Sequence, residues 1–119
     1  MKVAFTTAGI TLAAPMDNRF GRAPKFLVYD METGSVEVID NEQNLNTSQG
    51  AGIQAAQNVA NLGVSAVVTG NVGPKAYTAL QAAGIRVHLC GGGTAREALE
   101  MMRAGKLAVS EGANVSGHW

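Results

Sequence analysis

The residues best suited to bind a ligand lie at positions 65–75, with the sequence Ser-Ala-Val-Val-Thr-Gly-Asn-Val-Gly-Pro-Lys. Small and β-branched apolar residues open this stretch, as in a strand that is buried on both faces. Gly70 and Gly73 allow a sharp turn, and Pro74 suits the first turn of a helix. Because the N–H groups and the dipole at a helix start attract anions, and Lys75 adds a positive charge, this stretch predicts an anion site.

The composition indicates which broad classes of protein this chain can belong to. The chain has 119 residues, of which 46% are hydrophobic and 15% charged, which predicts one globular domain. Nine basic and nine acidic residues cancel, so net charge gives no support for binding to nucleic acid or to a membrane surface. Cys90 is the single cysteine, and the chain begins without a signal-peptide core. These features predict a cytoplasmic protein without an internal disulfide.

Charge is unevenly distributed along the chain. Arg19, Arg22 and Lys25 lie close together, whereas residues 30–42 contain five acids and no base. One interpretation is two solvated surface segments. The other is a local cationic site with an acidic stretch kept elsewhere.

Hydrophobic periodicity and turn residues predict the element order β-β-β-α-β-α-β-α. A capping box, Thr94-x-x-Glu97, marks the start of the last helix. Residues 7–24 read as a long functional or mobile loop, residues 106–109 as a last short strand or turn, and residues 110–119 as a mobile tail after a domain at 1–109. The predicted strands are 2–6, 25–30, 35–40, 65–69 and 85–90; the predicted helices run from an N-cap at Ser48 to Gly63, over 74–83, and from Thr94 to Gly105.

The connections between these elements predict the sheet. A β-hairpin followed by right-handed parallel crossovers places strand four beside strand one. The result is an α/β fold with a mixed five-stranded sheet in the order 3-2-1-4-5, strand two antiparallel, and three helices on both faces, as in ribonuclease H-like folds. Ligands bind where the strand order changes direction, so the loop after strand one meets the turn at 70–75, and the glycines at 91–93 lie next along.

The sequence lacks the residues that several kinds of catalysis and ligand binding require. Two-metal nuclease catalysis needs converging carboxylates, and neither residues 3–7 nor residues 65–71 contain one. Both common nucleotide-binding glycine patterns are absent, although either glycine turn could still hold a phosphate. Cys90 ends a strand before a helix start, which favours a reactive thiol, and His88 shares its face; a small buried cysteine is the simpler interpretation.

Three motifs occur in order: Asp17-x-x-Phe20-Gly-Arg-Ala-Pro24-x-Phe26, Gly50-Ala-Gly-Ile-Gln-Ala-Ala56 and Thr69-Gly-x-x-Gly-Pro-Lys-Ala76. Together they resemble the dinitrogenase iron–molybdenum cofactor biosynthesis family, small proteins or domains that bind and carry the nitrogenase cofactor or its precursors. The resemblance implies a ribonuclease H-like fold without nuclease or other enzymatic activity. Some relatives hold other metal–sulfur clusters, including a molybdenum–copper sulfide.

The resemblance also implies the ligand, a preformed anionic cluster of the Fe-Mo-S or Mo-Cu-S type, held mostly without covalent bonds. Its expected partners are cofactor-assembly proteins, with no nucleic acid and no membrane. Cys90 supplies at most one thiolate, and His118 is a second candidate metal ligand. Phe20 either covers the cluster or anchors its loop in the core. The predicted binding residues are Asp17, Arg19, Phe20, Gly21, Arg22, Thr69, Gly70, Asn71, Gly73, Pro74, Lys75, Gly91, Gly92 and Gly93.

A different class of function uses the same cleft. In this alternative the chain is a regulatory or scaffold module that binds a small anionic metabolite or a protein partner. A coloured protein after anaerobic reconstitution distinguishes the cluster carrier from this module.

Overall fold

The computed structural model describes residues 1–41 and 50–113. The predicted N-cap Ser48 and the predicted ligand His118 lie outside this part of the chain. The element order matches the prediction. The strands are β1 (Lys2–Thr7), β2 (Lys25–Asp30), β3 (Val36–Asp40), β4 (Ala66–Thr69) and β5 (Arg86–Leu89), and the helices are α1 (Ala51–Asn61), α2 (Pro74–Ala82) and α3 (Ala95–Arg103).

The five strands form one mixed sheet in the order β3-β2-β1-β4-β5, which confirms the predicted order. β2 is antiparallel to both β1 and β3, while β1, β4 and β5 are parallel. Phe5 lies at the centre, opposite Leu27 on one side and Val68 on the other. The carboxyl ends of β1 and β4 therefore meet at one edge of the molecule, as the topology requires.

Both faces of the sheet are covered by helices, as predicted. Residues that alternate along β1 point to opposite sides, because side chains in a strand have a period of two. Ala4 packs in a core with α1 and α2, whereas Val3 and Phe5 pack in a second core with α3. Because both faces are buried, β1 from Val3 onward and β4 are apolar up to the threonines at their carboxyl ends, which explains the continuous hydrophobic runs in the sequence.

The helix starts differ in how they are capped. α3 has the predicted capping box: the Glu97 N–H donates to Thr94 Oγ1 at 3.2 Å, and the Thr94 N–H donates to Glu97 Oε1 at 3.0 Å. α1 begins after Gly50, which is its N-cap with a φ of 76°. The prediction placed that cap at Ser48. Glycine adopts this left-handed conformation without the steric cost that a β-carbon brings.

The segment after α3 returns along the outer side of β5. Val109 forms a single antiparallel bridge with His88, where the prediction had a short strand or turn. The Ser110 N–H donates to the Val87 carbonyl at 2.7 Å, and the Tyr77 hydroxyl donates to the Ser110 carbonyl at 2.9 Å. The boundary drawn between 109 and 110 stays a prediction, although Ser110 itself is held by these bonds.

The longest helix in the described ranges, α1, has eleven residues. None of the helices found there has the length and apolar character that crossing a bilayer requires.

Candidate anion-binding site

Two buried threonines hold the long loop against the ends of β1 and β4. The Thr6 hydroxyl donates to the Asp17 carbonyl at 2.7 Å and lies 2.9 Å from the Thr69 hydroxyl. Because a hydroxyl has one proton, Thr69 is the donor in the second bond. The Asp17 N–H in turn donates to the Thr6 carbonyl at 2.8 Å. The predicted residues Asp17 and Thr69 are therefore brought together, with Thr6 between them.

A Thr69→Val variant tests this anchor, because valine keeps the shape and removes the hydroxyl. We expect a loss of about 1 kcal/mol in the free energy of unfolding, since one buried hydrogen bond is lost. Thr78→Val is the matched control: Thr78 lies on the exposed side of α2, where the two residues have similar helix propensities. Urea denaturation measures both variants. Equal stability of the two would contradict the anchoring role.

Asp17 positions Arg19 at the mouth of the site. Its Oδ1 accepts a hydrogen bond from the Arg19 backbone N–H at 2.8 Å, and its Oδ2 lies 3.3 Å from the Arg19 guanidinium. The Asp17 side chain is 14% exposed and that of Arg19 is 49% exposed. Part of the arginine's charge is therefore compensated, and its side chain is held in place. A carboxylate itself repels an anion, so Arg19 is the member of this pair whose charge suits one.

Three glycines let separate segments approach closely. A β-carbon on Gly70 would lie 2.5 Å from Asn18 Oδ1, and one on Gly21 would lie 2.8 Å from the Gly52 nitrogen. One on Gly52 would lie 2.9 Å from the β-carbon of Ala76. The loop after β1, the turn after β4 and the start of α1 therefore meet at distances that only glycine permits.

The contact of Gly52 with Ala76 joins two helix starts. Gly52 is in the first turn of α1 and Ala76 is in the first turn of α2. The N-cap residues are Gly50 and Gly73, which have no side chain with which to cap the first turn. The positive ends of two helix dipoles are thus side by side, an arrangement that favours a negative ligand. Lys75, exposed in the same turn of α2, adds a full charge.

The start of α3 is occupied by other parts of the chain. The N–H groups of Ala95 and Arg96 donate to the carbonyls of Ala14 and Leu12 at 3.0 and 2.8 Å, and the capping box uses the N–H groups of Thr94 and Glu97. Gly91, Gly92 and Gly93, predicted as binding residues, lead into this satisfied helix start. The Met16 N–H donates to the Gly93 carbonyl at 2.9 Å, so the structure brings this glycine segment next to the long loop, as predicted.

Cys90 lies on the other face of the sheet from this site. It is 8% exposed and packs in the core with α3, and its thiol lies 3.7 Å from the Gly92 carbonyl. Phe20 is also buried, but on the α1 and α2 side, where its ring centroid is 5.8 Å from that of Phe26. This placement favours the core-anchor alternative for Phe20. Among residues 1–41 and 50–113, no three His, Cys, Asp or Glu side chains cluster as metal ligands.

The remaining predicted residues divide between the turn and the loop. The Phe20 N–H donates to the Asn71 carbonyl at 3.2 Å, and Arg19 forms an isolated parallel β-bridge with Asn71. The loop after β1 is therefore joined to the turn after β4, as predicted. Gly70, Gly73 and Pro74 form the turn into α2, and Arg22 lies partly buried in the loop. Gly50 and Gly52 were missed as candidate site residues, although both stand in the second motif: Gly50 is the N-cap of α1, and Gly52 makes the close contact with Ala76.

A family model for dinitrogenase iron–molybdenum cofactor matches residues 1–105. The chain belongs to this family. An uncharacterized protein of Methanocaldococcus jannaschii is 35% identical over 104 residues, which cover 81% of this chain and 87% of that protein. The dinitrogenase iron–molybdenum cofactor family is thus confirmed along most of the chain, as the three motifs predicted.

Two solved structures show how closely this family member follows the family's fold. The apo form of the orange protein from Desulfovibrio gigas is 42% identical and has a TM-score of 0.93, with 96% of each chain covered. A protein from Thermotoga described as a candidate NifB protein is 34% identical and has a TM-score of 0.85, with 98% of each chain covered. The family and these neighbours connect the chain with the handling of iron–molybdenum cofactor or related metal clusters.

Proposed function

We propose that this chain binds and carries a preformed anionic metal–sulfur cluster, without catalysing a reaction, at the site between the long loop and the starts of α1 and α2. The observation that carries the proposal is the contact of Gly52 with Ala76, which places two helix starts with glycine N-caps side by side. Lys75 and the Asp17–Arg19 pair complete the site.

The charge of the ligand is argued from this geometry. Backbone N–H groups and helix dipoles at the two adjoining helix starts favour an anion, and such N–H concavities hold phosphates and iron–sulfur clusters. In the part of the chain that the structure describes, no three-ligand group is present to build a cluster from free metal ions. A cluster that arrives assembled and is held by charge and N–H groups satisfies both conditions.

The family supports the finer identity of this ligand. We propose iron–molybdenum cofactor, one of its precursors, or a related molybdenum–copper sulfide as the cluster, and cofactor-assembly proteins as the donor and recipient. The ribonuclease H-like class is part of the same proposal, supported by the sheet order β3-β2-β1-β4-β5.

Anaerobic reconstitution tests the function. The purified protein is incubated with tetrathiomolybdate and cuprous ion, or with iron–molybdenum cofactor in organic solvent, and then separated from free metal. We expect a coloured protein with molybdenum bound in a fixed ratio, measured by elemental analysis and visible absorption. A colourless protein that is stabilised against heat by a small anion such as citrate would instead support the metabolite-binding module.

A Cys90→Ser variant separates this site from one that depends on a thiolate. We expect the metal-to-protein ratio and the visible spectrum to stay unchanged, because the thiol lies in the α3-side core. The stability of the variant falls by about 1 kcal/mol, since serine buries a hydroxyl where a weakly polar thiol packed. Loss of colour in a variant that remains folded by circular dichroism would contradict this prediction and restore Cys90 as a ligand.

A further inference from the structure

The two edges of the sheet differ in what packs against them. The outer edge of β5 is covered by the segment after α3, through the bridge at His88 and the bond from Ser110 to Val87. β3 forms the opposite edge and, within residues 1–41 and 50–113, pairs only with β2. An edge strand presents a row of N–H and C=O groups that can pair with another chain.

The register shows which backbone groups point outward from β3. The Asp30 N–H donates to the Ser35 carbonyl at 3.0 Å, and the Asn41 N–H donates to the Pro24 carbonyl at 2.8 Å. In an antiparallel ladder, hydrogen-bonded pairs alternate with non-bonded pairs. Val36 and Val38 therefore occupy the non-bonded positions, opposite Tyr29 and Leu27. Their N–H and C=O groups point away from the sheet.

The side chains at these same positions are partly exposed. Val36 is 40% exposed and Val38 is 39% exposed, although both extend the face on which Leu27 and Tyr29 are buried. Glu37 lies between them and points to the opposite face of the sheet, next to Val28. A strand added here would bury two valines and place one of its own side chains beside Glu37.

The acidic residues in and near β3 indicate the charge that a strand paired with it should carry. Positions 30–40 carry the acids Asp30, Glu32, Glu37 and Asp40 and no base. A second copy of this chain, paired antiparallel about Glu37, would set two glutamates directly opposite each other, which is unfavourable. A basic residue opposite Glu37 makes a favourable cross-strand pair instead.

We propose that β3 is the docking strand for an extended segment of a partner protein with the pattern apolar–basic–apolar opposite Val36, Glu37 and Val38. The segment adds a sixth strand to the sheet through backbone hydrogen bonds, and the alternating side chains provide specificity. Asn41, directly after β3, donates from its side chain to the Ala23 carbonyl at 2.8 Å. A partner docked on β3 thus lies beside the loop that forms the proposed cluster site, although the docking strand does not depend on that function.

Peptide binding followed by nuclear magnetic resonance tests the proposal. The probes are a short peptide of alternating valine and lysine and a peptide of equal length with alternating valine and glutamate. In the free protein we expect fast amide hydrogen exchange at Val36 and Val38. Addition of the lysine peptide is expected to protect these two amides and to shift the signals of β3, whereas the glutamate peptide leaves them unchanged.

Two variants separate backbone pairing from charge. Val38→Pro removes an outward N–H and leaves the ladder to β2 intact, so the fold is kept and the affinity for the lysine peptide falls about tenfold or more. Glu37→Lys transfers the preference to the glutamate peptide. Glu100→Lys changes the net charge equally on an exposed position of α3 and leaves the preference for the lysine peptide unchanged.

Four results would overturn the docking strand: slow exchange of the Val36 and Val38 amides in the free protein, equal binding of both peptides, absence of binding, or an unchanged affinity in Val38→Pro. A dimer in solution that Val38→Pro dissociates would show that a second copy occupies the edge, against the proposal. Cluster uptake is measured separately on the same variants. Its failure in the unmodified protein rejects the proposed function and leaves the docking result standing.

Discussion

A Gly21→Ala variant is expected to lose about 1–3 kcal/mol of unfolding free energy, the usual cost of overpacking, and most of its anion binding. The added β-carbon would lie 2.8 Å from the nitrogen and 2.9 Å from the α-carbon of Gly52. Both are backbone atoms, so relief requires the loop and the start of α1 to move apart. Because Gly52 also contacts Ala76 of α2, the displacement separates the groups that we propose hold the ligand.

Gly91→Ala is the matched control for this prediction. A β-carbon at Gly91 has no neighbouring atom within 4 Å among the described residues, and its backbone is not in the left-handed region. We expect a change within about 0.5 kcal/mol, or a slight stabilisation, because alanine restricts the unfolded chain. Urea denaturation measures stability, and a titration with tetrathiomolybdate measures binding. Equal effects of the two substitutions on both quantities would refute the close-contact account.

A Lys75→Glu variant is expected to weaken anion binding about tenfold or more, since reversing one charge beside a multiply charged ligand costs more than about 1.4 kcal/mol even near a protein surface. Stability is expected to stay the same or to rise slightly, because an acidic residue in the first turn of a helix interacts favourably with the dipole. Binding and folding therefore change in different directions, which separates a loss of ligand contact from a loss of structure.

Lys106→Glu provides the control for total charge. Lys106 is exposed after α3, and its substitution changes the net charge by the same amount. Titrations at low and high salt should show that only the Lys75 variant loses most of its affinity, and that the difference narrows as salt screens the interaction. Similar losses in both variants would mean that overall charge, not a local site, attracts the anion.

The sheet could be predicted from the sequence because its determinants are local. The short spacing between β2 and β3 indicates a hairpin, and the glycine turns after β4 and β5 indicate parallel crossovers, so few topologies remain. The capping box at Thr94 and Glu97 was found for the same reason, since both partners lie within one turn of helix.

Which of the three helix starts has its N–H groups bonded by other parts of the chain could not be predicted in this way. The glycine turn before α3 resembles the one before α2, yet the carbonyls of Leu12 and Ala14 occupy the first N–H groups of α3. These acceptors are about eighty residues away from α3 in the chain. The hydrophobic periodicity of a single helix or strand therefore cannot predict them. The same holds for the contact of Gly52 with Ala76, which depends on how two helices pack and not on either helix alone.

Cys90 illustrates a limit of reasoning from position along a strand. Its place at the end of β5 predicted a thiol near a helix start, which holds for the start of α3, but whether it faces the starts of α1 and α2 depends on the alternation that β5 adopts. His88 and Cys90 share the α3 side, where Cys90 packs with Ala95 and Leu99. The candidate ligand and the paired helix starts are therefore separated by the sheet.

The most direct test of the central claim is an amide chemical-shift map of the protein during titration with a preformed metal–sulfide anion under anaerobic conditions. We expect the largest shifts at Gly52, Lys75 and Ala76, in the adjoining first turns of α1 and α2, with small shifts at Cys90 and at Gly91–Gly93. Largest shifts at Cys90 and the three following glycines, with Gly52 and Lys75 unaffected, would contradict it.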